Sequence, residues 1–191
     1  MIKATSVLIG SASAVVPSLD FDADNFKKAS IVMPSGETVE YKAYERIFYV
    51  TNVEDSTYQT LNIYVPDDLK GRQNPEIPVF IRQYVGGYRA STAKTPSPTD
   101  ASGRALQEGY VVCIPGARGS NSTVERDGQK IYTGIAPNGL LDLKAAIRYC
   151  ATMIHAYPVI LSAYSLTAQV RRCNVGSGRS HGKSRGLRRI S

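Results

Sequence analysis

Val85-Gly86-Gly87-Tyr88 is the stretch of this chain best suited to chemistry. It follows an apolar run, Pro78 to Val85, that reads as a buried strand. Two glycines at that point let the backbone approach a ligand closely, with N–H groups directed outward. Such donors stabilise the negative charge that develops on a tetrahedral intermediate of acyl transfer. The plainer reading of the same dipeptide is a turn. Arg118, beside Gly119, carries a similar pair of readings: its guanidinium either steers an anionic substrate or pins a loop. The groups that complete acyl transfer are not found. Residues 1–149 contain no histidine and no Gly-x-Ser-x-Gly. Residues 150–191 have Gly176-Ser177-Gly178 and, overlapping it, the matches Gly178-Arg179-Ser180-His181-Gly182 and Gly182-Lys183-Ser184-Arg185-Gly186. This basic, glycine-rich stretch follows no strand pattern and opens no helix. No nucleophile, base or orienting acid is therefore assigned, and Gly86 and Gly87 stand as oxyanion-hole candidates. Three cysteines without regular spacing define neither a metal site nor a disulfide framework, and Cys113 reads as an inert buried thiol. No cofactor is expected.

The elements that must position those groups come next. Tyr110 to Ile114 is apolar on both faces and is stopped by Pro115 and Gly116, the pattern of a buried parallel strand. From the candidate N-cap Asn138, the residues Leu140, Leu143, Lys144 and Ile147 recur at helical spacing up to Tyr149. Strand, polar excursion and helix make half of a βαβ unit, which should lead into another buried strand. Ala101 to Gln107 reads as a short helix stopped by Gly109. Residues 20–75 read as antiparallel strands. Val39, Tyr41 and Ala43 alternate with polar residues, Ile47 to Val50 continues as an apolar strand, and Gln59 to Val65 turns Leu61, Ile63 and Val65 one way. Asp67 to Pro78 is a polar connector and Ala90 to Thr99 an irregular loop. Antiparallel lead-in strands followed by the start of a mostly parallel sheet define an α/β fold class.

Composition divides the chain at Cys150. The whole carries 23 Lys+Arg and 16 Asp+Glu, a formal net charge of +7. Residues 150–191 hold Arg171, Arg172, Arg179, Lys183, Arg185, Arg188 and Arg189 and no acidic residue, which leaves 16 basic against 16 acidic before them. Both histidines, His155 and His181, lie there too. A basic chain invites a nucleic-acid reading, yet the excess belongs to the tail alone. No apolar run approaches the ~18 residues of a membrane span. At the other end, Lys3, a mildly apolar stretch and Ala12-Ser13-Ala14 resemble a weak secretory signal, while the alternative is a frayed N-terminal arm over residues 1–19. A cytoplasmic location is the expectation, with secretion if residues 1–14 act as a signal.

From Phe21 to Tyr149 the chain resembles a bacterial tannase, or a relative among the feruloyl-esterase-like α/β hydrolases. The residues carrying the resemblance are Phe21-Asp22-Ala23-Asp24, Leu61-Asn62-Ile63-Tyr64-Val65-Pro66, Val85-Gly86-Gly87-Tyr88 and Gly109-Tyr110-Val111-Val112. Gly116-Ala117-Arg118-Gly119, Ala136-Pro137 and Asp142-Leu143-Lys144-Ala145-Ala146-Ile147-Arg148-Tyr149 continue it. The resemblance implies a partial α/β-hydrolase domain over residues 20–149, an incomplete hydrolase sheet. In complete members it implies a Ser-His-Asp esterase acting on small aromatic acid esters, with the Gly86–Gly87 loop supplying half of the oxyanion hole.

Residues 150–191 are expected to be a disordered, out-of-frame tail. Restoring one nucleotide at the Tyr149/Cys150 junction, and a second near Val170, lets back-translation read Asn-Gly-Thr-Ser within Ser165 to Val170, starting at the Leu166/Thr167 junction, and Ala-Gly-Gly after it. That is a nucleophile elbow where an α/β hydrolase needs one. The chain as written is thus expected to stop short of its nucleophile and to be inactive. The alternatives are a nucleic-acid-binding protein acting through its tail and a non-catalytic binding module. Neither membrane nor specific nucleic acid is an expected partner.

Overall fold

The computed structural model describes residues 19–72 and 77–153, together with the backbone of Ser165–Leu166. The expectations for the N-terminal arm before Leu19, and for most of the basic tail, lie outside the described residues. Six strands form one mixed sheet: β1 (Lys27–Val32), β2 (Thr38–Phe48), β3 (Thr60–Pro66), β4 (Val79–Ile81), β5 (Val111–Pro115) and β8 (Ser165–Leu166). Their spatial order is β1-β2-β3-β5-β4-β8. The pairs from β1 to β5 are antiparallel, whereas β4 runs parallel to both β5 and β8. Antiparallel lead-in strands followed by a parallel sheet are as the residue patterns require. A second sheet is the hairpin of β6 (Thr123–Arg126) and β7 (Gln129–Tyr132).

Alternation along each strand sends side chains into two cores. On one face, Leu61, Ile63, Val79, Ile81, Val111 and Cys113 pack with Ala146, Tyr149 and Cys150 of α2 (Asn138–Met153). On the other, Tyr41, Tyr64, Phe80, Val112 and Ile114 pack with Ala105 and Leu106 of α1 (Ala101–Gln107). All five residues of β5 are buried, because helices cover it from both sides. The register between β2 and β3 shifts by one residue at a bulge in which Glu45 and Arg46 oppose Asn62. The Asn62 side-chain oxygen accepts from the Arg46 N–H at 2.9 Å, and Arg46 takes φ 58°.

α1 occupies the expected residues. Asp100 caps it, accepting from the Ser102 N–H at 2.8 Å and from the Tyr84 hydroxyl at 2.5 Å. Gly109, at φ 77°, ends it, with its N–H donating to the Leu106 carbonyl. Burial pushes the Asp100 carboxyl up, but hydrogen bonds from Ser102, Tyr84 and the Ser102 and Gly103 N–H groups outweigh it and hold the pKa below the ordinary value. A carboxylate lowered in this way stabilises the fold above its unfolded pKa and loses that contribution as pH falls through the folded one. Asp100→Ala is expected to cost about 0.5–2 kcal/mol at neutral pH. The deficit should shrink in acid; urea titrations at pH 7 and pH 3 giving equal deficits would contradict this.

Four expectations need correction. The strand Pro78 to Val85 is realised only over Val79–Ile81. The Arg82 N–H still reaches the Cys113 carbonyl, after which the chain leaves the ladder to form the turn below. The polar excursion holds the β6–β7 hairpin, whose Asp127 and Gly128 take φ 53° and 73°, the I′ geometry that an Asp-Gly pair favours. In α2 the buried face is Gly139, Asp142, Ala146, Tyr149 and Cys150, while Leu140 and Leu141 are exposed. Small side chains and one paired carboxylate let this helix approach the sheet where the leucine spacing points elsewhere. Asn138 is itself the first helical residue rather than its cap, and its amide donates to the Thr133 carbonyl at 2.9 Å.

Among the described residues, the compositional break at Cys150 does not end α2. α2 continues through Met153, and Cys150 lies in the core beside Cys113. Contact with Cys150, together with burial, pushes the Cys113 thiol well up, which keeps it unreactive. The strand into which α2 should lead exists as two residues, Phe80 pairing with Ser165 and Ile81 with Leu166. Main-chain N–H and C=O groups are common to every residue, so a ladder can form there whatever the side chains. No helix of the described residues is long and apolar enough to cross a membrane.

Candidate functional site

β4 leads into α1 on one face of the sheet, and β5 leads into α2 on the other. Adjacent parallel strands whose connections leave in opposite directions open a crevice at their carboxyl ends, the usual ligand position in such sheets. The loops bordering it are residues 82–92 after β4 and 116–122 after β5. Gly86 and Gly87 lie in the first of these and Arg118 in the second, so the topology brings the sequence-predicted residues to one end of the sheet.

The Gly86–Gly87 segment is a tight turn. The Arg89 N–H donates to the Gly86 carbonyl at 3.2 Å, and Gly87 and Tyr88 take φ 59° and 58°. The turn reading of the dipeptide is therefore correct. It leaves room for the other reading as well, because no atom lies within 4 Å of where a Cβ on either glycine would sit. Tyr88 is the unusual member: for a residue with a Cβ, the left-handed conformation costs roughly 1–2 kcal/mol.

Arg118 pins a loop. It is 6% exposed. Its Nε donates to Asp142 Oδ2 and its Nη2 to Asp142 Oδ1, each at 2.8 Å, and its Nη1 donates to Glu54. The Arg118 backbone N–H adds a bond to Asp142 Oδ2 at 2.9 Å, and the Gln59 amide reaches Asp142 Oδ1 at 3.1 Å. The hydrogen bond from the guanidinium to Asp142 holds the Arg118 pKa above the ordinary arginine value. With both edges of the guanidinium engaged, anion steering is not its task. Gln59 extends the network by accepting from the Glu54 and Asp55 N–H groups at 2.7 and 2.9 Å. Tyr49, raised in pKa by burial and then by the Asp142 charge, stays neutral and donates to the Gly116 carbonyl at 2.9 Å.

Glycine makes this packing possible. A Cβ on Gly119 would lie 2.2 Å from the Ala90 nitrogen, one on Gly139 would lie 2.4 Å from the Arg118 carbonyl oxygen, and one on Gly134 only 1.7 Å from the Gly119 oxygen. The loops after β4 and β5 consequently touch backbone to backbone. Sequence reasoning passed over Asp142, Gln59 and Asn121. Asp142 had one legible signal, an acidic residue three positions after Gly139 among the apolar residues of a helix. Gln59 and Asn121 had none. The arrangement places an open glycine turn at a sheet crevice, and residues 19–153 contain no histidine that could serve as a base. The glycine- and serine-containing stretch of residues 176–186 lies outside the described residues.

A comparison with protein-family models gives no match, and one with curated proteins gives none. Solved structures do match. The tannase of Fusobacterium nucleatum is 33% identical, with a TM-score of 0.67 over 77% of this chain and 32% of that one. The tannin acyl hydrolase of Lactobacillus plantarum is 30% identical, with a TM-score of 0.63 over 76% of this chain and 33% of its own. A tannin acyl hydrolase solved with ethyl gallate is 32% identical, with a TM-score of 0.57 over 69% of this chain and 30% of that one. The chain thus spans about a third of the length of the structures it matches. Sequence identity and backbone agreement together make the chain a tannase-like N-terminal portion.

Proposed function

We propose that this chain is the leading portion of a serine ester hydrolase for aromatic acid esters, cut before its nucleophile elbow and without turnover as it stands. The observation that carries the reading is the agreement with the Fusobacterium nucleatum tannase at a TM-score of 0.67. The ethyl gallate held by one similar tannin acyl hydrolase supports an aromatic acyl ester as the substrate class. In this reading the open Gly86–Gly87 turn donates backbone N–H groups to the oxyanion. These are worth most where charge develops in the transition state and water is excluded. The position of β8 supports the truncation: Ser165–Leu166 runs parallel to β4, and the frame-restored Asn-Gly-Thr-Ser begins directly after it. Strand followed at once by nucleophile is the order an elbow requires.

The test compares the purified 191-residue chain with a protein from which the two proposed nucleotide losses have been repaired. The chain should hydrolyse methyl gallate no faster than buffer. The repaired protein should turn it over, and replacing the serine of its restored elbow by alanine should lower kcat by about 10⁴- to 10⁶-fold. Hydrolysis by the 191-residue chain that a serine-directed phosphonate abolishes would show that an active nucleophile had been overlooked.

A further inference from the structure

Tyr88 holds a left-handed backbone conformation that a residue with a side chain adopts only under constraint. The bond closing its own turn, Arg89 N–H to the Gly86 carbonyl, is long at 3.2 Å. The constraint comes from across the crevice. The Ser120 N–H donates to the Tyr88 carbonyl at 2.7 Å, and the Ala90 N–H donates to Asn121 Oδ1, also at 2.7 Å. These two bonds bracket the strained residue, one on its own carbonyl and one two residues on. Both partners belong to a single turn, Gly119 to Ser122, closed by the Ser122 N–H to the Gly119 carbonyl at 2.9 Å and by the Ser122 hydroxyl to the same carbonyl at 2.8 Å. That second turn is anchored in its own right, because the Thr133 N–H donates to the Ser122 carbonyl at 3.1 Å and the neighbouring Arg118 is clamped by Asp142. Of the two bracketing bonds, the one to Asn121 is made by a side chain, so substitution can remove it without altering the backbone.

We propose that Asn121 is a positioning residue for the oxyanion turn. By accepting from the Ala90 N–H it holds Gly87 and Tyr88 in the left-handed region, and so fixes the direction in which their N–H groups point. Asn121 touches no reacting atom; it acts through Ala90 and Tyr88. The inference rests on the ester-hydrolase reading for its consequence, and on the hydrogen bonds alone for its mechanics.

Two measurements test it. In the 191-residue chain, Asn121→Ala is expected to speed deuterium uptake across residues 86–90 by about 10-fold, while helix Ala101–Gln107 keeps its protection. Asn121→Asp retains an acceptor oxygen, and its uptake should match the parent. In the repaired protein, Asn121→Ala should lower kcat for methyl gallate about 10-fold with KM unchanged, because a displaced donor weakens transition-state stabilisation rather than substrate binding. Unchanged uptake across residues 86–90 in Asn121→Ala overturns the proposal, as does an unchanged kcat against an active parent. A repaired parent without activity overturns the ester-hydrolase reading instead, and the uptake measurement still decides the role of Asn121.

Discussion

Asp142→Ala is expected to destabilise the fold by about 3–5 kcal/mol, since it strands the buried Arg118 guanidinium without its main partner. The carboxylate accepts from Arg118 Nε and Nη2, from the Arg118 backbone N–H and from the Gln59 amide. Removing it leaves donors unsatisfied at the place where α2 meets the sheet. Glu54 cannot compensate, because it engages only Nη1 and its own side chain is 45% exposed. Asp142→Asn keeps the shape and loses the charge, so a smaller loss is expected. The double variant Arg118→Met with Asp142→Leu should recover much of the loss, since it removes both charges rather than one. Urea denaturation of the four proteins measures these differences. A loss under about 0.5 kcal/mol for Asp142→Ala would place it with ordinary surface substitutions and remove the ion pair from the account of how α2 is held.

Gly134→Ala is the second large effect. An added methyl group would lie 1.7 Å from the Gly119 oxygen, 2.3 Å from the Ser122 hydroxyl and 2.4 Å from the Gly119 carbonyl carbon. Two of these are backbone atoms, which cannot swing aside as a flexible side chain does. Relief requires the Gly119–Ser122 turn to move, together with the Thr133 N–H bond to the Ser122 carbonyl that fixes it. A cost of about 1–3 kcal/mol or more is expected from the overpacking alone. Gly36→Ala is the control: its φ is 84°, but no atom lies within 4 Å of the added carbon, so only the backbone conformation opposes it. That term is about 1–2 kcal/mol. The two substitutions should also differ in reach. Gly134→Ala should raise deuterium uptake at residues 86–90, because it displaces the turn that clamps them, whereas Gly36→Ala should not. Identical uptake at residues 86–90 in both variants would mean that the close glycine contacts do not support the crevice.

Much of the scaffold was determined by the sequence itself. Residues that obey a short period report their own environment, because a strand turns alternate side chains to opposite faces. Val39, Tyr41 and Ala43 lie buried in one core as their alternation requires, and Val111 to Ile114 are buried on both sides. Helix Ala101–Gln107, its glycine stop and the order of antiparallel before parallel strands follow from equally local signals. The β6–β7 hairpin carries a local signal of the same kind in Asp127-Gly128, which the reading of that stretch as a polar excursion passed over. The buried face of α2 was not. Leu140 and Leu143 mark an apolar stripe by spacing, yet the helix turns Asp142 inward, because the charge it meets comes from Arg118, 24 residues earlier in the chain. A pairing between residues so far apart leaves no periodic trace.

The crevice shows the same division. Two glycines after an apolar run mark a place where the backbone turns, and the sequence contains that much. Whether the turn stays open to a ligand depends on Gly119, Gly134 and Asn121, which approach it only once β5 lies beside β4. Close backbone approach is a property of two segments at once, so neither segment encodes it alone. Only the tertiary structure carried the short β8 ladder across a compositional break. Sheet pairing uses main-chain groups that every residue possesses, so a change in side-chain composition does not mark where pairing stops.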